Sequence, residues 1–418
     1  MTDMRTEIET SSAPAWAANR WMRLAALIIG GVLLLAVVQS VSDTSELTTS
    51  GTWAAALRLS VPIMLAGLGG MFSERSGIVN IGLEGMMIAG TWFGAWAGWS
   101  YGPWQGVLLG VAGGAVFGLI HAIATVTFAV DHIVSGVAIN ILAAGSMRFL
   151  SVVTYTPESG GGATQSPGIK SQIATFDVPV ISDFFNWLEA KRIFFVSDAS
   201  GIIAGLTSNL SWLTVIGLAI VPLSWWVLWR TAWGLRLRSC GENPYAAESL
   251  GVPVLRMKYY GVVISGALAG LGGAYLVVVQ AGIYREGMTA GRGFLGLAAM
   301  IFGNWNPVGT MVGSTLFGYA DALRLRQNEA VHALLLAVAI VLVLLAVWSA
   351  IRRRYTPAIF EGIFGVLFFT WYITTDSVPS QVVAATPYLV TLLVLAIATQ
   401  RLRMPAADGL RYRKGEAV

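Results

Sequence analysis

The sequence predicts an all-α polytopic membrane protein, a bundle of about ten to twelve transmembrane helices, and three observations carry that expectation. Hydrophobic residues make up 56% of the 418 and charged residues only 11%, against about 25% charged in an average soluble domain. Apolar runs of bilayer-spanning length recur along the chain, separated by short polar segments. The arginines and lysines gather in alternate segments, as a positive-inside distribution requires. The net charge of +4 therefore reports orientation, not attraction to nucleic acid.

Taken in order, residues 1–20 are polar and read as a cytoplasmic N-terminal segment, and residues 21–400 as the membrane domain. The first apolar run, 22–39, is long for a signal-peptide core and has no cleavage motif after it, so it is read as a retained span. Further runs fall at 53–71, 78–99, 105–130, 133–150, 210–229, 259–280, 308–323, 332–350, 358–374 and 385–400. The short run Gly293 to Gly303 reaches only about 16 Å as a helix. Interrupted helices are thus expected near Gly77–Gly85 and near Gly291–Gly303, one in each half of the chain, the pattern that points to a transport site. Arg75, Arg230 to Lys258, Arg352 to Arg354 and the basic tail 401–418 fall on the cytoplasmic side of this topology, with both termini. The long loop 151–209 falls outside, amphipathic around Phe184 to Phe195, either closing a pore mouth, meeting a partner or serving as a loose connector with one interfacial helix.

Two runs carry ridges of small residues: Gly106, Gly110, Gly114 and Gly118, and Gly261, Ser265, Ala269 and Gly273 with Gly266, Gly270 and Ala274 beside them. Such ridges let helix backbones approach closely in lipid and predict tight bundling. Trp53, Trp92, Trp96, Trp99 and Trp104, and Trp225, Trp226, Trp229 and Trp233, are expected in interfacial belts.

The chemistry concentrates in S-E-R-S-G-I-V-N-I-G-L-E-G-M-M-I-A-G, Ser73 to Gly90. A carboxylate at the centre of a membrane helix costs about 2.5–3.5 kcal/mol, so Glu84 should face a bundle interior or a cavity. If helix begins at Ile78, Asn80, Glu84, Met87 and Thr91 share one face. That stripe fits a substrate pathway, to which Asn140 is added from a later span, and fits equally an interhelical hydrogen-bond seam. One cysteine, Cys240, excludes an internal disulfide, and His121, His132 and His332 lack metal-ligand spacing. Without a G-x-x-x-x-G-K-[ST] loop or a clustered catalytic set, no catalytic residue, metal or cofactor is expected, and ATP hydrolysis would fall to another subunit.

Within the cytoplasmic loop 230–258 the sequence spells a short capped helix. Asn243 can cap it, Pro244 suits the first turn, Ala246, Ala247 and Leu250 form a small apolar face, and Gly251 stops it. The segment suits docking to another protein.

Three motifs in order then carry a resemblance: S-G-I-V-N-I-G-L-E-G-M-M, then G-x-N-P-x-A-A-x-x-x-G-V with S-G-A-L-A-G-L-G-G-A, then G-R-G-F-L-G-L-A-A-M-I-F-G-N-W-N-P. The chain resembles permease subunits of ATP-binding-cassette importers in the ribose and branched-chain amino-acid permease superfamily. It is most similar to the nucleoside branch that works with a BmpA-type binding lipoprotein. The resemblance covers about 53–325 and 378–418, and 328–377 reads as an inserted helix pair. It implies nucleoside uptake across a bacterial-type plasma membrane. It further implies a cytoplasmic ABC ATPase, a second and non-identical permease and an extracytoplasmic binding lipoprotein. Gly241, Glu242, Asn243, Pro244, Ala247 and Gly251 would form the coupling element for that ATPase. A simple-sugar or branched-chain amino-acid permease is the alternative; a self-sufficient secondary transporter or channel has no need of the docking helix.

Overall fold

The computed structural model describes residues 20–326, 328–375, 377–379, 382, 383, 385 and 402–415. The N-terminal segment before Arg20 and nearly all of the expected span 385–400 lie outside these residues. Among them the fold is helical apart from one antiparallel pair of two-residue strands, β1 (Thr175–Phe176) and β2 (Leu210–Ser211). Among the described residues eight helices are long and apolar enough to cross a membrane, so the chain is an all-α multi-pass membrane protein. Two further helices of 18 residues are less apolar, and the expected span 385–400 falls almost wholly outside the described residues, so this measure leaves the count of ten to twelve unconfirmed.

The helices are α1 (Arg20–Ser42), α2 (Ser50–Arg75), α3 (Leu83–Ser100), α4 (Pro103–Ala122) and α5 (His132–Thr154), then α6 (Ile181–Glu189) and α7 (Val196–Thr207) in the long loop. They continue with α8 (Trp212–Arg230), α9 (Ala232–Glu242), α10 (Pro244–Ser249), α11 (Val254–Tyr275), α12 (Arg292–Phe302), α13 (Pro307–Arg324), α14 (Asn328–Ile351) and α15 (Tyr355–Thr374). Polar side chains start several of them: Asp131 accepts from the Ile133 and Val134 amides at α5, and Asn306 caps α13 ahead of Pro307.

The centre is α2 and α11. α2 is apolar on all sides and buried over most of its length, the signature of a helix enclosed by others. α11 uses both of its small-residue ridges. Gly266, Gly270 and Ala274 meet the Gly110, Gly114 and Gly118 ridge of α4 backbone to backbone, while Gly261, Ser265 and Gly273 press on α2 and α3. A methyl group at any of these glycines would overlap a neighbouring main chain, so close packing replaces the hydrophobic effect that lipid cannot supply. α14 and α15 form the inserted hairpin at the periphery, held to α1 by a 3.0 Å hydrogen bond between the Tyr372 and Ser42 hydroxyls.

Three expectations change. α5 continues to Thr154, and the loop after it is two short helices, with α7 packed on the start of α2 through Gly201 and Gly205. Trp92 is core, donating to the Ser151 hydroxyl at 3.0 Å, because the ring lies between α3 and α5 and not at an interface. α3 starts at Leu83, not Ile78.

Candidate functional site

That last change places the glycine-rich stretch as a break between α2 and α3. α2 ends as the Ser76, Gly77 and Ile78 amides fold back onto the Ser73 and Glu74 carbonyls, with Gly77 at φ +86°, where a side chain is strained. Irregular backbone inside a membrane is tolerable only if the protein itself satisfies its polar groups. Here side chains from three neighbouring elements, with Ser73 of α2 itself, do so. Lys258 of α11 donates to the Gly77 carbonyl (3.3 Å), Ser73 to Ile78 (2.7 Å), and Asn140 of α5 to Ile81 (3.1 Å). His121 of α4 lies 3.3 Å from the Val79 carbonyl and bonds Ser135 through its other ring nitrogen. Asn140 also accepts from the Gly85 amide at 2.7 Å.

Asn80 therefore lies in the break and not on a helix face, so the expected four-residue stripe is split. It is fully buried, accepts from the Gly82 amide (3.0 Å) and donates to the Ser265 hydroxyl of α11 (2.9 Å). Thr91, one face of α3 further on, is buried and donates to its own helix at Ile88 (2.7 Å).

Glu84 sits in the first turn of α3 and reaches the start of α12. Its two carboxylate oxygens accept from different backbone amides, Gly291 at 2.9 Å and Gly293 at 2.7 Å. Gly291 is the cap of α12 and has φ +77°. The carboxylate thus neutralises the positive ends of two helices at once, its own and that of α12. α12 has 11 residues, and its Gly296 packs against Ala66 and Gly67 near the middle of α2, so it is a half-helix beginning at mid-depth. Beside it Arg292 bonds Asp321 of α13 (2.8 Å), which also holds Arg324 (2.7 Å). The expectation of interrupted helices in both halves holds, and the two breaks touch.

The loop between α8 and α11 folds as expected at its cap: Asn243 accepts from the Ala246 amide at 3.0 Å, Pro244 opens α10, and Gly251 closes it at φ +80°. The predicted apolar face does not hold together. Ala247 and Pro244 are buried, whereas Ala246 is exposed and Leu250 is 84% exposed, because a six-residue helix turns Ala247 onto the bundle and its neighbours away from it. Gly241 in α9 lies so close to the Arg75 carbonyl that no side chain fits. Glu242 pairs with Arg75 at 3.8 Å within the chain.

At this end of the bundle, the basic end, Glu74 accepts from the Trp305 indole at 2.6 Å and Arg75 donates to the Trp305 carbonyl at 3.0 Å. The basic tail also folds here. Burial pushes the Asp408 carboxyl up to about 7, against the opposing pull of its bond to Glu74 and of Lys258 and Arg75. Burial likewise raises the Cys240 thiol to about 11, so it is inert. Sequence reading missed Lys258, His121 and Ser73 as holders of the break; a lone ionisable or polar residue inside an apolar run was the available signal for the first two.

A family model described as branched-chain amino acid transport system / permease component matches residues 52–347. The nucleoside ABC transporter permease protein NupC of Lactococcus lactis subsp. cremoris is 35% identical over 364 residues, 85% of this chain and 95% of its own length. The guanosine ABC transporter permease protein NupQ of Bacillus subtilis is 38% identical over 64% of this chain and 80% of its own. A putative glucose ABC transporter permease protein of Haloferax volcanii is 32% identical over 67% and 78%. No solved structure matches the chain. With most of its length matched, and with broken helices meeting inside a small-residue bundle, the chain belongs to the branched-chain amino acid transport system permease-component family.

Proposed function

We propose that this chain is the pore-forming subunit of an ABC importer for nucleosides. Its partners would be a cytoplasmic ABC ATPase, a second, non-identical permease and an extracytoplasmic binding lipoprotein. The basic end and both termini would face the cytoplasm of a bacterial-type cell. The observation that carries the cargo is the 35% identity reaching across 95% of a nucleoside permease. The site chemistry agrees: the Glu84 charge is met by two amides and a helix end, and Asp321 faces Arg292 and Arg324. A path walled by compensated charges suits a neutral polar molecule better than a zwitterion.

In this reading Asn80, Glu84, Thr91 and Asn140 shape the pathway wall, Asn80 and Asn140 by holding the first break and Glu84 by tying it to α12. The coupling element is Gly241, Glu242, Asn243, Pro244, Ala247 and Gly251, with Ala246 and Leu250 offered to the ATPase. Motion of α10 would reach the pore through contacts already described: Gly241 on the backbone of Arg75, Lys258 on Gly77, and Glu84 on α12. Only ATP-dependent contacts that differ between two states can drive that motion.

Uptake of labelled guanosine, uridine, glucose and leucine by cells with and without the chain tests the cargo. Loss of nucleoside uptake alone is expected. Loss of glucose uptake alone would assign the cargo to the sugar class that the Haloferax relative's name indicates, and loss of leucine uptake alone would assign it to amino acids.

A further inference from the structure

A basic C-terminal tail is ordinarily a solvated appendage, and here it is not. Within residues 402–415, Ala407, Asp408 and Tyr412 are each less than 10% exposed, while Arg403, Arg411 and Lys414 point outward. The chain turns at 406–409, with Gly409 at φ +78°, and pushes that turn into the basic end of the bundle. The Ala407 amide donates to the Gly241 carbonyl at 2.8 Å, and the Ala406 amide to the Glu242 carboxylate at 3.2 Å. Both acceptors are at the end of α9. The Tyr412 ring packs on Tyr245 of α10, with centroids 5.2 Å apart. The Ala407 carbonyl lies against Gly77, and Gly409 against Val79, both in the break. The Arg403 amide donates to Asn304 just after α12 at 2.6 Å, and Arg411 reaches Asp131 at the start of α5 at 4.0 Å.

One short segment therefore touches the coupling helices, the first break, the end of the half-helix and the start of α5. Asp408 is buried in this turn. Its carboxyl faces that of Glu74, and the Gly409 amide and the Lys258 and Arg75 charges also act on it. Two carboxyls bond only if one keeps its proton. A buried acid in such a place is costly unless the tail is held there by its other contacts.

We infer that residues 402–415 are a strap that ties α9 and α10 to the break, making Asp408 and Tyr412 positioning residues for coupling. The inference rests on the importer reading for its consequence, not for its geometry. Without the strap, α10 remains attached to the bundle through its buried Pro244 and Ala247 and through the neighbouring α9, and its displacement is no longer passed to the break.

The test uses spin labels at Ala246→Cys and Leu142→Cys, the latter an exposed position on α5, in a Cys240→Ser background. It compares the full chain with one ending at Ala406. In parallel, nucleoside taken up per ATP hydrolysed is measured for both in the reconstituted complex. A broadened label distance together with a fall of about five-fold or more in transport per ATP, the lower end of ordinary coupling factors, is expected. An unchanged distance distribution overturns the strap. A broadened distribution with unchanged transport per ATP overturns the positioning role. If the truncated chain does not assemble, Tyr412→Ala gives the same two readouts at full length. If the intact complex moves no nucleoside, the importer reading fails while the label distances still decide the strap.

Discussion

Replacing Glu84 by glutamine is the sharpest perturbation that the geometry offers. The change preserves shape but not the hydrogen bonding. The two oxygens of Glu84 accept from two different amides, at 2.9 and 2.7 Å. Glutamine has one oxygen, and its amino group would point a donor at a donor. One charge-assisted bond is lost, the other becomes neutral, and a buried N–H is left unpaired, for a cost of about 2–4 kcal/mol. The helix-end interaction of α12 weakens as well. At about 2 °C per kcal/mol, the apparent melting temperature of the purified protein should fall by about 4–8 °C. Glu84→Gln should be no milder than Glu84→Ala, since alanine leaves room for water to reach the two amides. Gly293→Ala, whose methyl would lie 2.8 Å from the Glu84 carboxylate, should reproduce the defect from the other side. Fluorescence-detected size-exclusion melting of the three variants reads this out. A Glu84→Gln protein that melts with the unaltered one refutes the anchoring role, and if it also fails to transport it points to direct contact with cargo.

Other outcomes follow from the same geometry. Leu250→Ala removes an exposed side chain whose burial on an ATPase would contribute about 1.5–3 kcal/mol, so ATPase affinity should fall roughly ten-fold or more with expression intact; Ala247→Arg, at a buried position, should instead lose expression, as read by co-purification and membrane yield. Docking of the tail should be tighter at pH 5 than at pH 8. The folded Asp408 carboxyl, raised to about 7, holds a proton that the free tail gives up near 4, so docking weakens as pH rises through that window and is level above it. Glu74, Lys258 and Arg75 face the same carboxyl, and Asp408→Asn should flatten the profile measured by protease sensitivity of the tail. Cysteines at Thr164 and Leu410, both exposed, should react with an impermeant thiol reagent from outside and inside respectively; outside reaction at Leu410 would invert the topology.

Most of the scaffold was legible because its determinants are local. Apolar run length placed the spans, and Asn243–Pro244 with Gly251 placed α10, since caps act within one turn. The small-residue ridges predicted tight packing, though not that α11 uses both of its ridges on different partners. What was hidden depends on contacts between distant parts of the chain. Periodicity put Asn80 on the Glu84 face, whereas Gly77 and the carbonyl-binding side chains of Lys258, His121 and Asn140 make a non-helical path affordable there. Glu84 was recognisable as an anomaly, but its partners are backbone amides more than 200 positions away, which no side-chain pattern announces. The tail's burial was masked by its arginines, which face outward while Ala407 and Tyr412 do the packing.

The half-helix α12 changes the distance over which the membrane insulates. Its first residue lies near the midpoint of α2, and the preceding stretch 282–291 comes down to that depth as irregular chain with Arg285, Glu286 and Gly287 exposed. Water following that chain would carry the aqueous boundary opposite the basic end into the bundle with it. The low-dielectric layer beside the site is then about 16 Å, the length of 11 helical residues, and not the roughly 30 Å of a bilayer core. A transmembrane voltage would fall mostly across α12, concentrating the field on the segment that Glu84 anchors, and the desolvated part of a solute's journey would be shortened by the same proportion.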